Sequence, residues 1–379
     1  MFPFLCYWLL NKKDLDISSI EQWGLGLEAP LYIAGPCSVE TPEQLDRTVS
    51  ELVNVGVRVF RGGVWKPRTR PNSFEGVGKI ALPWIRDVKK KFGVRFAVEV
   101  ASPLHVEEAL NHGIDIFWIG ARSTVNPFTV QEIANSLKGV DIPVLVKNPV
   151  NPDLALWIGA LERFHQAGVK KIGAIHRGFS NFNDKIYRNS PTWQIPLGLK
   201  TYFPEIPLLN DPSHICGRRD LIPQISQMAL DLNFDGLMIE SHFDPDNAWS
   251  DAAQQLLPAD LGKLLKILKT RKINVDNPIL QSQLEVIREQ IDEVDREILE
   301  ILSRRMSLVE KAGEYKRLNN VAVFQMERWK KVFETRPEWA EALRLNPEFA
   351  KDLFQLIHTE SIKKQTEVKE RNGKPKFTE

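Results

Sequence analysis

Short apolar runs that end in glycine or polar residues recur along the first two thirds of the chain. They lie at Leu31–Ala34, Val57–Arg61, Arg95–Val100, Ile116–Gly120, Val144–Lys147, Lys171–Ile175, Leu208–Asp211 and Gly236–Glu240. Between them fall stretches of helical character, at Pro42–Val53, Pro103–His112, Thr129–Leu137, Leu154–Ala167 and Arg218–Leu232. Strand then helix, about eight times over roughly 240 residues, predicts an α/β fold of the (β/α)8 barrel type. An open doubly wound sheet competes, but no GxGxxG opens the first helix, and the unit count suits a barrel better.

The pattern changes past Leu268. Residues 269–279 are polar, contain proline and lack apolar periodicity, so they read as a linker between a barrel over residues 30–268 and an all-helical domain over residues 280–370. A polar tail occupies 371–379, and residues 1–29 read as an N-terminal extension. Within it, Met1–Leu10 is too short to span a bilayer and lacks the basic residues that precede a secretory core, so it reads as non-essential. In the helical domain Leu284, Ile287, Ile291, Val294, Ile298, Leu302 and Val309 trace a seam in steps mostly of three and four. Such a stripe on an unusually long helix needs a partner to cover it, and a dimerising coiled coil would account for it.

Charged positions ask for more than dimerisation. Arg305 and Lys316 lie eleven residues apart, which returns them to one helix face within about 20°. Arg288 points elsewhere, so a pocket that uses all three takes it from another helix, most simply that of a second subunit. Ser361 and Gln365 are an i, i+4 pair and share a face.

Bulk composition narrows the partners. The formal net charge is +1 over 379 residues, so nothing calls for nucleic acid or a membrane surface, and anion chemistry must come from local cationic sites. The three cysteines, Cys6, Cys37 and Cys216, are scattered and odd in number, which argues for a reducing, cytoplasmic location.

Such local sites sit at the strand ends. The stretch FRGGVWKPRTRP presents Arg61, Lys66, Arg68 and Arg70 beside two glycines, which let backbone amides approach a ligand while arginine forks meet phosphate or carboxylate. Arg122, Lys147, Arg177, Arg218 and Arg219 belong to the same rim. Burying so many cations is costly unless anions compensate them, so multiply charged ligands are expected. Cys37, His214, Glu240 and Asp251 follow the first, seventh and eighth strands. Together they make a mixed sulfur, nitrogen and oxygen set suited to a divalent transition metal with one position left open.

AGPCSVE, FRGGVWKPRT, VEVASP, IGAR, VLVKN, NDPSHICGRRD and GLMIESHFDP, in this order over about Leu31–Leu268, resemble the 3-deoxy-D-arabino-heptulosonate 7-phosphate (DAHP) synthases of the short type I beta form. The related octulosonate phosphate synthases lack KPRT at the second strand. The resemblance implies a metal-dependent condensation of phosphoenolpyruvate with erythrose 4-phosphate. It implies Mn, Fe, Co or Zn held by Cys37, His214, Glu240 and Asp251. Phosphoenolpyruvate would be gripped by Arg61, Lys66, Arg122, Lys147 and Arg177, and the sugar phosphate by Arg68 and Thr69, with Lys66 orienting or protonating the aldehyde oxygen. Two departures stand out: Arg70 replaces the serine that usually follows KPRT, and His176 precedes Arg177 where an acid is common.

IREQID, LSRRMSLVEKAGEYK and LFQLIHTESIKKQ, over about Leu284–Glu367, resemble the all-helical, intertwined dimeric chorismate mutases. This implies that Arg305 and the Arg288 of a second subunit bind the two carboxylates of chorismate. Lys316 and Gln365 would flank the breaking ether oxygen, while Arg328 and Ser361 line the pocket. A pericyclic rearrangement to prephenate needs only such a cationic clamp. Around the arginine this chain reads Gln325, Met326, Glu327, Arg328, Trp329, which leaves open the hydroxyl contact that an acid after the arginine usually makes. The expected protein is a homodimeric bifunctional enzyme whose tail also mediates feedback by chorismate or prephenate. The alternative is a synthase whose tail only senses these ligands.

Overall fold

The computed structural model describes residues 15–66, 74–272 and 277–371. The chain divides into two compact units, residues 1–273 and 274–379. In the first, β1 (Leu31–Gly35), β2 (Val59–Arg61), β3 (Arg95–Glu99), β4 (Ile116–Ile119), β5 (Val144–Lys147), β6 (Ile172–His176), β7 (Leu208–Asn210) and β8 (Gly236–Glu240) run in sequence order around a closed barrel. All neighbours are parallel, and β8 returns to β1 in the register Leu31 with Gly236 through Gly35 with Glu240.

The two-residue side-chain period sorts each strand between two cores. Ala34, Phe60, Phe96, Phe117 and Val146 pack outward against the helices. Ile33, Val59, Ala97, Trp118, Leu145, Ile175, Leu209 and Met238 form a separate interior layer. Residues 15–29 are no loose extension: Ile20, Trp23 and Leu27 are buried in that interior cluster, and the indole nitrogen of Trp23 donates to the Ser18 carbonyl at 3.2 Å. This corrects the placement of the barrel's first structural residue at 30. A short 3-10 turn ending in Gly24 at φ 74° presents the plug, and its large aromatic fills the barrel interior, which a strand rhythm does not announce.

Helices at Ala81–Phe92, Gln194–Tyr202 and Pro258–Ile267 were not among the expected ones. Each carries a proline in its first turn, Pro83, Pro196 and Pro258, where the missing N–H costs nothing and the ring does not break the helix. The stretch expected as one helix from Arg218 resolves into a 3-10 turn and the helix Ile222–Asp231, which opens just before Pro223.

The second unit is helical: Pro278–Leu318, Met326–Ala342 and Pro347–Arg371. Asn277 caps the long helix through the amides of Ile279 and Leu280, so the helix opens inside the segment read as linker. Gly313 lies against Gln365 so closely that a Cβ there would sit 3.1 Å from its Cγ, which draws the long helix onto the last one. Among the described residues, the N-terminal two thirds of the long helix finds no such cover. Ile287 is 51% exposed, Ile291 54%, Val294 53% and Ile298 49%.

Candidate active sites

Two positions past the interior apolar layer, every barrel strand or the loop just beyond it contributes one residue to a second layer: Gly35, Arg61, Glu99, Gly120, Lys147, Arg177, Asp211 and Glu240. Three are cations and three are acids, so the buried charge is largely balanced within the layer. The two glycines sit where nothing larger fits. A Cβ at Gly35 would lie 2.2 Å from the Arg61 carbonyl oxygen, and one at Gly120 would lie 2.0 Å from the Glu99 Oε1.

The guanidinium of Arg61 lies 3.1 Å from Glu240 and 3.9 Å from Asp211. Lys147 donates to Asp211 at 2.6 Å. Asp211 and Glu240 thus already compensate part of the rim's positive charge. Burial alone would raise both carboxyls, yet His214, with Lys147 near Asp211 and Arg61 near Glu240, holds them below their usual range. Burial lowers the Lys147 ammonium, and it brings the Arg177 guanidinium down to about 10. Arg177 so placed still carries its charge at neutral pH.

Above this layer, Cys37, Glu240 and Asp251 bring one sulfur and two carboxylate oxygens within 4.8 Å of one another. The thiol donates to Asp251 Oδ2 at 3.1 Å, and Lys66 Nζ reaches Cys37 Sγ at 2.5 Å. His214 stands at the margin of the trio, with Nε2 3.8 Å from Glu240 and Nδ1 2.8 Å from Asp211. Those distances are short, but the atoms are misaligned: Glu240 Oε1, His214 Nδ1 and two Arg61 nitrogens are buried without a hydrogen bond. Burial and the Glu240 carboxylate push the Cys37 thiol up to about 12. A soft sulfur donor, unpaired carboxylate oxygen and an adjacent imidazole suit a divalent transition metal, whose charge would reverse that thiol shift.

One concavity joins Arg61, Lys66, Arg122, Lys147 and Arg177 to His214 and Asp251. Arg68 and Thr69 lie outside the described residues. Arg218 and Arg219 do other work: the first is exposed and pairs with Asp220 at 2.6 Å, while the second ties Asp246 to the Gln255 and Ala252 carbonyls. Sequence reading passed over Glu99 and Arg188. Glu99 accepts from the Trp118 indole at 3.2 Å, and the two-residue register along β3 would have placed it. Arg188, which holds Asp251 at 3.0 Å and Gln254 at 2.7 Å, sits in a long loop with no periodic signal.

His176 faces the opposite way. Ile175 points inward, so His176 points out, among Phe179, Trp193 and Phe234. Its Nε2 donates to the Pro191 carbonyl at 2.6 Å, and Nδ1 accepts from Asn210 at 3.0 Å. Burial pushes its pKa down to about 3. Below the ordinary value of 6.5 the unfolded chain takes a proton that the folded chain refuses. This histidine should therefore withdraw stability as pH falls from about 6.5 towards 3, by up to about 4 kcal/mol. Denaturation midpoints of the native chain and of His176→Gln across that range check this. A parallel decline in both would refute it.

In the helical unit Arg305, Lys316, Arg328, Ser361 and Gln365 line one pocket, joined by Gln325, Arg336 and His358. Arg305 donates to the Ser361 hydroxyl at 2.7 Å, and Lys316 donates to the Val323 carbonyl at 2.7 Å. Burial lowers the Arg305 guanidinium and the Lys316 ammonium. Arg336 was not foreseen. Its guanidinium lies 4.3 Å from the Trp339 ring centroid and 5.8 Å from that of Phe354. Arg288 is not among the lining residues and pairs with Glu285 at 2.5 Å.

Comparison with known proteins follows the same division. The DAHP synthetase I family model matches residues 16–277, and that of chorismate mutase type II matches residues 287–366. A phospho-2-dehydro-3-deoxyheptonate aldolase of Thermotoga maritima is 34% identical over 224 residues, covering 59% of this chain and 64% of that protein. A 2-dehydro-3-deoxyphosphooctonate aldolase of Brucella ovis is 26% identical over 265 residues, covering 62% and 90%. The crystal structure of the Thermotoga maritima DAHP synthase superposes with a TM-score of 0.57 at 32% identity, over 62% of this chain and 67% of that one. The chain thus spans somewhat less than two thirds of the length of the Thermotoga sequence relative.

Proposed function

The chain belongs to the DAHP synthetase I family, with a chorismate mutase type II domain following the barrel in sequence, and on that premise we propose two activities. The barrel condenses phosphoenolpyruvate with erythrose 4-phosphate to DAHP and phosphate, and the helical domain converts chorismate to prephenate. The observation that carries the first is the Cys37, Glu240 and Asp251 trio opening onto five cations. For the second it is a pocket that gathers Arg305, Lys316, Arg328 and Arg336 with no carboxylate among its described lining residues.

Cys37, Glu240 and Asp251, with His214 beside them, would hold a divalent cation, Mn, Fe, Co or Zn. When bound, it supplies Lewis-acid polarisation of the aldehyde carbonyl. Arg61, Lys147, Arg122 and Arg177 grip the phosphate and carboxylate of phosphoenolpyruvate, and Arg68 and Thr69 hold the sugar phosphate. Lys66 stands ready to orient the aldehyde oxygen and give it a proton as the carbon–carbon bond forms, before water adds and phosphate leaves. In the helical domain Arg305 and the partner subunit's Arg288 clamp the carboxylates, Lys316 and Gln365 stabilise the ether oxygen, and Arg328 and Ser361 shape the pocket. The exposed apolar seam of the long helix supports a homodimer. Among the described residues no helix is long and apolar enough to cross a membrane, in keeping with a proposed cytoplasmic location.

The test uses the full-length protein. With phosphoenolpyruvate it should release phosphate with erythrose 4-phosphate but not with arabinose 5-phosphate, and it should also consume chorismate. Preference for the pentose phosphate would assign the barrel to the octulosonate branch instead. If chorismate persists yet slows the barrel, the helical domain is a sensor alone; if it is both consumed and inhibitory, the domain has both roles.

A further inference from the structure

The roles proposed above give partners to the two carboxylates and the ether oxygen of chorismate and leave its ring hydroxyl without one. Trp329, directly after Arg328, packs its indole on the His358 ring, and among the described residues no carboxylate lines the pocket. Three polar atoms of the lining are buried without a hydrogen-bond partner, Arg336 Nε, Gln365 Oε1 and His358 Nε2. Of these residues His358 is the one whose ring carries both a donor and an acceptor nitrogen and has no part in the clamp. Its ring is held 3.8 Å from the Trp329 centroid and 6.5 Å from that of Phe324. His358 precedes Ser361 by three residues and Gln365 by seven, so all three share one face of the last helix.

We propose that His358 is a specificity residue of this pocket, its Nε2 pairing with the ring hydroxyl of the bound dianion. The inference rests on the mutase reading of the domain. Burial, with the nearby Arg305 and Lys316, lowers the His358 pKa, so the ring is neutral and can donate or accept at Nε2. A neutral group here adds no further repulsion to a pocket already crowded with cations, and it leaves both carboxylates to the arginines. The hydroxyl takes no part in the bond changes, so the contact acts on affinity and choice of ligand more than on turnover.

Steady-state kinetics of the full-length chain test this, with KM read for chorismate and for an analogue whose ring hydroxyl is replaced by hydrogen. The native protein should prefer chorismate by about tenfold in KM. His358→Phe should raise KM for chorismate to the level of the analogue while leaving the analogue within about twofold of its native value. Should that variant misfold, His358→Leu reads the same difference. A preference that survives removal of the imidazole overturns the proposal, as does a native protein with the same KM for both. A native protein that converts neither overturns the mutase reading with it, and so the two failures are distinguishable.

Discussion

Replacing Cys37 with alanine is expected to lower condensation of phosphoenolpyruvate with erythrose 4-phosphate by about three orders of magnitude, the equivalent of about 4 kcal/mol of transition-state stabilisation. Cys37 supplies the only sulfur of the trio with Glu240 and Asp251, and its amide is fixed by Gln255 Oε1 at 2.9 Å. The loop would therefore persist while the site loses a soft donor. Lys66 also loses the sulfur that its ammonium now meets, so the aldehyde would be less well oriented as well. Steady-state rates at saturating metal, alongside an unchanged melting profile, check the prediction. Activity within a few-fold of the native chain would show that Cys37 is only a packing residue.

Arg305→Ala should reduce kcat/KM for chorismate by about 10²–10³-fold and leave the condensation untouched. Arg305 lines the helical pocket and donates to Ser361. Truncating it removes half of a carboxylate clamp and frees the serine that it holds. Lysine is not an equivalent replacement, because a point charge cannot reproduce the planar fork; Arg305→Lys should recover only part of the loss. Continuous measurement of chorismate absorbance checks both variants, and near-native turnover in Arg305→Ala would place the chemistry elsewhere.

Most of the barrel was legible because its strands announce themselves twice, as short apolar runs and as the polar or glycine residues that end them. The same two-residue period that hides Ile33 and Met238 inside the barrel sets Arg61, Lys147 and Glu240 facing its mouth, and so the strand-end cations and acids could be grouped in advance. That period also accounts for His176, noted only as a departure from the family: it must face outward because Ile175 faces in. Trp23 escaped notice because a plug contacts the barrel through tertiary packing alone. Arg188 did so because its place beside Asp251 depends on how a long loop returns. In the helical domain, face arithmetic placed Arg305 with Lys316 and Ser361 with Gln365. The same arithmetic would have added His358, three residues before Ser361, but it said nothing of Arg336, which joins the pocket from the middle helix only once the helices pack together.

The central claim is that Cys37, His214, Glu240 and Asp251 share one divalent cation on which the condensation depends. The direct measurement is to strip the native protein with a chelator, assay it, then titrate Mn²⁺ back while counting bound ions. The account predicts loss of condensation with chorismate consumption retained, and recovery that saturates at one ion per chain and fails in Cys37→Ala. Full condensation activity in rigorously metal-free protein would contradict it.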